Sequence, residues 1–340
     1  MNIHTTSRIF ILVAILLFVP PTRSQYGDTS ELIFSCEFSF LSGCLNSYSY
    51  TALEDYGKAA ERFKTNCGSG DLQACLNLGS LYFSGKGVQQ NEAEATDLFN
   101  YACNGGITDA CLNLGYAYAW GKGIRQDYAK AADLYNDACK DNNMYGCATL
   151  GLFYRFAFGV EQDYATSFEL LESACDNGVM QGCYFLADYY RLANYYFPDT
   201  AISQDEGKAI ELYNRVCKGG VMIGCATLGR NYIYAANGQE HVIAKGNKLL
   251  SQACDGGYMR GCMILATAFS FGQIGKKDDT VAAELYERAC NGGHMEGCHS
   301  LGFSYMSGTG VKQDTSKAKA LFKQACDAGK HYACENYERI

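Results

Sequence analysis

Cys103-Asn104-Gly105-Gly106-Ile107-Thr108-Asp109-Ala110-Cys111, followed by Leu112-Asn113-Leu114-Gly115-Tyr116-Ala117-Tyr118, decides the fold of this 340-residue chain. Two cysteines eight positions apart bracket a Gly-Gly turn, and a Leu-Gly-x-x-Tyr segment follows. The arrangement recurs at Cys67/Cys75, Cys139/Cys147, Cys175/Cys183, Cys217/Cys225, Cys254/Cys262, Cys290/Cys298 and Cys326/Cys334. Cys36/Cys44 has the same spacing in a weaker context, so all 18 cysteines fall into nine pairs. Successive pairs begin 31, 36, 36, 36, 42, 37, 36 and 36 residues apart, the signature of a repeat array.

A continuous helix would separate residues eight apart by roughly 12 Å, whereas a disulfide needs Cα atoms within about 7 Å. The segment between paired cysteines must therefore fold back. Gly105-Gly106, Gly178, Gly219-Gly220, Gly256-Gly257 and Gly292-Gly293 supply the left-handed conformation that ends a helix. The bridge then joins two antiparallel helices across a tight turn. Counted from the second cysteine, Leu recurs at +3, Gly or Ala at +4 and an aromatic at +7. Counted back from the first, small or apolar residues recur at −1, −4, −5 and −8. Both stripes have the helical period, with the small +4 residue permitting close helix approach. The aromatic stripe reads as core. A bridge closing so short a loop contributes about 2.5 kcal/mol in the chain-entropy model.

Residues 1–24 read as a signal peptide: Arg8 precedes the apolar run Ile9–Val19, and Pro20-Pro21-Thr22-Arg23-Ser24 suits cleavage before Gln25. The run is too short for a membrane span of about 20 residues; a short retained anchor is the alternative. Export and the paired cysteines agree with each other. No C-x2-C zinc spacing occurs, and His294 and His299 accompany only one cysteine pair, so neither metal nor cofactor is expected. The formal net charge of −8 and the lack of any Lys/Arg run disfavour nucleic acid.

Residues 25–340 are expected to form one array of about eight helical hairpins with half-units at the ends. First helices end in Gly85-Lys-Gly87-Val88, Gly121-Lys-Gly123-Ile124 or Gly308-Thr-Gly310-Val311. Asp127, Asp163 and Asp314 follow where they can cap the second helix. Two units depart: Asn194-Tyr195-Tyr196-Phe197-Pro198-Asp199-Thr200 and Tyr234-Ala235-Ala236-Asn237-Gly238-Gln239 replace the connector with a different loop.

The unit L-G-x-x-Y, G-x-G-V, Q-D, A-x-x-L-Y-x-x-A-C resembles the Sel1-like repeat, a relative of the tetratricopeptide repeat. With C-x7-C in every unit and an export signal, the chain is similar to the secreted Helicobacter cysteine-rich protein family. The resemblance implies an all-α, right-handed α/α solenoid of hairpins, disulfide-bridged at each repeat. It also implies one of two functions. The first is an exported, secreted or periplasmic scaffold that holds a protein or peptide, or a cell-wall component, on its concave face. The second is penicillin binding with weak β-lactamase activity. For the second, Ser316-Lys317-Ala318-Lys319 is an S-x-x-K without S-D-N or K-T-G companions, and no thiol is left unpaired. For the first, positions +2, +5 and +6 of the first helices read as lying off the core stripe. They nominate Asn77, Asn113, Tyr116, Phe153, Tyr189 and Arg230 as partner-binding residues, with amides suited to holding an extended peptide backbone.

Overall fold

In the computed structural model the described residues are 53–196, 203–236 and 238–340. The signal segment, the Cys36/Cys44 pair, Phe197–Thr200 and Asn237 lie outside them. The described residues fall into two compact units, one ending at Asn143 and one running from Met144 to Ile340. The first unit holds α1 (Leu53–Gly68), α2 (Leu72–Ser84), α3 (Glu92–Asn104), α4 (Thr108–Trp120) and α5 (Tyr128–Lys140). The second holds α6 (Met144–Phe156), α7 (Tyr164–Asp176), α8 (Met180–Tyr196), α9 (Glu206–Lys218), α10 (Met222–Ala235) and α11 (Glu240–Asp255). It continues with α12 (Met259–Ser270), α13 (Asp279–Asn291), α14 (Met295–Ser307), α15 (Thr315–Asp327) and α16 (His331–Arg339). Within each unit every helix packs on the next, giving the solenoid of helical hairpins.

The bridges take the expected place. Cys67–Cys75, Cys103–Cys111, Cys175–Cys183, Cys217–Cys225, Cys254–Cys262, Cys290–Cys298 and Cys326–Cys334 close with Cα separations of 4.5–4.7 Å. Cys139 and Cys147 are disulfide-bonded too. The second helices begin at aspartate caps, with Asp127, Asp163 and Asp314 each accepting from a backbone N–H in the first turn. The first helices stop where Gly85, Gly121 and Gly308 turn left-handed, at φ of 64–73°. Ala157 occupies the same conformation at φ 57° without the freedom of glycine.

Two connector readings are corrected. Asn194, Tyr195 and Tyr196 extend α8, which has 17 residues where most first helices have 13. Tyr234 and Ala235 likewise belong to α10. Neither helix meets a glycine at the usual stopping point, so the backbone hydrogen bonding continues.

Packing explains the +4 and −4 positions. A Cβ on Gly79, Gly115 or Gly302 would stand 2.7–2.9 Å from the ring of Phe99, Tyr135 or Phe322. Those three rings are fully buried beneath the helix that carries the glycine. The +7 tyrosines are half-buried, and Lys130, Lys208 and Lys317 lie 4.9–5.3 Å over the rings of Tyr118, Tyr190 and Tyr305. Each lysine sits in the first turn of the following helix, so the contact joins the two arms of a hairpin.

Candidate functional site

The first helices present two kinds of surface. In the first unit Phe83 meets Tyr116 edge-to-face at 5.8 Å, and Tyr116 lies tilted against Trp120 at 6.4 Å. Asn77 and Ser80 stand half-buried on α2, the helix that also carries Phe83.

Three nominated residues are corrected to packing positions. Asn113 is 1% exposed, and Phe153 and Tyr189 are fully buried. Positions +2 and +6 are four apart, hence on one helical stripe; at Asn113, Phe153 and Tyr189 that stripe is packed away from solvent, whereas at Asn77 and Asn231 it is half-buried. Tyr189 shows this directly: its ring meets Phe168 of the preceding second helix edge-on at 5.8 Å. Burial pushes the Tyr189 phenol up to about 12. Phe153 packs edge-on against Phe158 at 5.7 Å.

The second unit carries a charged cluster that the sequence reading largely missed. Asp188 accepts from the Tyr213 hydroxyl at 2.5 Å and from Arg191 Nη2 at 3.1 Å. Arg191 Nε also meets the Tyr213 oxygen at 3.2 Å. Arg155 lies 3.8 Å from the other oxygen of Asp188, with its guanidinium 4.8 Å over the Tyr189 ring. The Arg155 and Asp188 side chains are only 9% and 15% exposed. Burial alone would push the Asp188 carboxyl up, but Arg191, Arg155 and the Tyr213 hydrogen bond outweigh it and hold it below its ordinary value. The Tyr213 phenol is raised, first by burial and then by Asp188.

Arg230 is half-buried on α10. Burial and Asp188 raise the Tyr184 phenol, and Arg230 and Arg191 both oppose that rise. Thus Arg230 joins Asp188, Arg191 and Tyr184, while Asn77 and Tyr116 belong to the other unit. The overlooked signal was register: Arg155 and Arg191 both stand at +8, one repeat apart.

Ser316 is exposed in the first turn of α15. Lys319 contacts the Ile340 carbonyl and the Tyr337 ring rather than Ser316. Among the described residues no group of three His, Cys, Asp or Glu side chains is placed to hold a metal ion.

The Sel1 repeat matches seven times, at residues 72–107, 108–143, 145–179, 183–221, 225–258, 260–294 and 296–330. No curated protein matches the chain. Among solved structures, a Sel1 repeat protein from Oxalobacter formigenes aligns with TM-score 0.58 and 21% identity, covering 96% of this chain and 92% of its own. Yeast Tom70 aligns with TM-score 0.56 and 15% identity over 95% of this chain and 65% of its own. Helicobacter pylori cysteine rich protein B is 31% identical over 38% of this chain and 91% of its own, with TM-score 0.31.

Proposed function

Because this chain belongs to the Sel1 repeat family, we propose that it is an exported scaffold, residues 25–340 forming one array, which binds a protein or peptide on the face of its first helices. The observation that carries the reading is the row of rings Phe83–Tyr116–Trp120, with Asn77 half-buried on the helix that bears Phe83. These are half-buried rings and an amide on helices whose ends are fixed by Cys67–Cys75 and Cys103–Cys111. A surface held in place before binding loses less conformational freedom on association. Export is supported by the signal-like segment and by disulfides of a kind that persists in secreted or periplasmic compartments. No helix among the described residues is long and apolar enough to cross a membrane.

The test is capture of partners from extracellular and periplasmic extract by the oxidised chain and by an Asn77→Ala/Tyr116→Ala variant of equal melting temperature. A partner held by the first and lost by the second supports the reading. Capture at equal level by both would move the site off α2 and α4.

A further inference from the structure

Arg155, Arg191 and Arg230 gather on three successive first helices, α6, α8 and α10, beside the Asp188 carboxylate. Arg155 and Arg191 share that carboxylate, and no ion pair or hydrogen bond among the described residues engages Arg230. Beside it, Asn231 Nδ2 is shielded from solvent with no acceptor among the described residues. This concentration of positive charge stands out in a chain whose net charge is −8. A partly buried cation without a counter-ion, as at Arg230, is unfavourable unless an anion completes it.

We propose that this cluster receives the carboxylates of an acidic peptide, with Arg191 and Arg230 facing the ligand and Asp188 holding Arg191 in position. The guanidinium fork matches a carboxylate in two parallel hydrogen bonds, and the Asn231 amide supplies a further donor. A row of donors spread over successive helices suits an extended chain. The positive cluster in an acidic protein also draws a negative segment to this place. The proposal rests on the partner-binding reading of the first helices and gives it a ligand class.

The experiment uses fluorescence anisotropy of the oxidised full chain with a fluorescein-labelled twelve-residue peptide rich in glutamate. The same peptide with glutamine in place of glutamate, and inorganic phosphate as competitor, complete the set. The expected result is binding at least about tenfold tighter for the glutamate peptide, weakening as salt rises. Arg230→Ala should weaken it about fivefold or more with unchanged melting temperature, since Arg230 makes no ion pair to lose. Arg191→Lys, which keeps the charge but not the fork, should weaken it too. Equal affinity for both peptides, or an Arg230→Ala affinity equal to wild type, overturns the proposal. Displacement by phosphate as readily as by unlabelled peptide overturns it in favour of a general anion site. If extract partners are captured through Asn77 and Tyr116 while the acidic peptide does not bind, this proposal falls and the scaffold reading stands. Peptide binding without any captured partner leaves the cluster and removes the surface on α2 and α4.

Discussion

The Tyr213 hydroxyl donates to Asp188 Oδ1 at 2.5 Å, so a ring rooted in the second helix α9 reaches the charged face of the first helix α8. Its aromatic body is fully buried at the −4 position of its repeat. The packing stripe and the polar cluster are thereby joined through one side chain. Ala187, at the position where most other repeats carry glycine, lies in the same core with Tyr213 and Leu228.

Asp188 should tie stability to pH in one direction. Its folded carboxyl titrates below the ordinary value because Arg191, Arg155 and Tyr213 overcome the effect of burial. Its contribution is therefore present above the unfolded pKa of about 3.9 and is lost as pH falls through the lower folded value. Asp188→Asn should cost about 3 kcal/mol at pH 7, because it leaves two guanidinium groups without their carboxylate. Urea unfolding of both oxidised proteins at pH 7, 4 and 3 checks this. A penalty as large at pH 3 as at pH 7 would mean that Asp188 does not act as an ion.

Gly115 sets the distance between α4 and α5. A methyl there would stand 2.9 Å from Cε1 of the fully buried Tyr135 ring. Gly115→Ala should destabilise by about 1–3 kcal/mol. Gly302→Ala, 2.7 Å from Phe322 Cε1, should behave alike. Circular-dichroism melts of the oxidised variants measure both, and an unchanged melting temperature would show that the helices separate without cost.

The hairpins were legible because their signals are local. Cysteine spacing, glycine at the turn and aspartate at the cap all act within a few residues of where they stand. The site was less legible because a repeat helix has a second packed side. The period around α8 shows which residues face α9, but Tyr189 is buried against α7 through Phe168, which no single helical wheel reveals. Likewise, position −4 announces Tyr213 as core, and nothing nearby in sequence says that its hydroxyl meets a carboxylate 25 residues upstream.

The Cys254–Cys262 bridge joins α11 to α12 where both sulfur-bearing residues are buried, at 1% and 0% exposure. Cys254→Ala/Cys262→Ala should lower stability by about 2–3 kcal/mol while leaving helix content unchanged. Non-reducing peptide mapping of the wild type should also recover Cys36 linked to Cys44, which completes the nine sequence pairs. Free thiol at Cys36, or linkage to a cysteine of a distant repeat, would break the repeat rule at the start of the chain.

Asn113 separates packing from binding. It is 1% exposed, and neither its amide nitrogen nor its amide oxygen has a hydrogen-bond partner among the described residues. An unpartnered buried amide costs about 1–3 kcal/mol, and an apolar residue of similar volume removes that cost. Asn113→Leu should therefore raise stability by about 1 kcal/mol. It should also keep every partner that the wild type captures, because the side chain is shut off from solvent. Denaturant midpoints and the extract capture assay, run on the same preparations, give the two readouts. A less stable Asn113→Leu would mean that the amide is satisfied in solution. A stable variant that loses its partner would instead make Asn113 a binding residue, reached only when neighbouring hairpins open to admit the ligand.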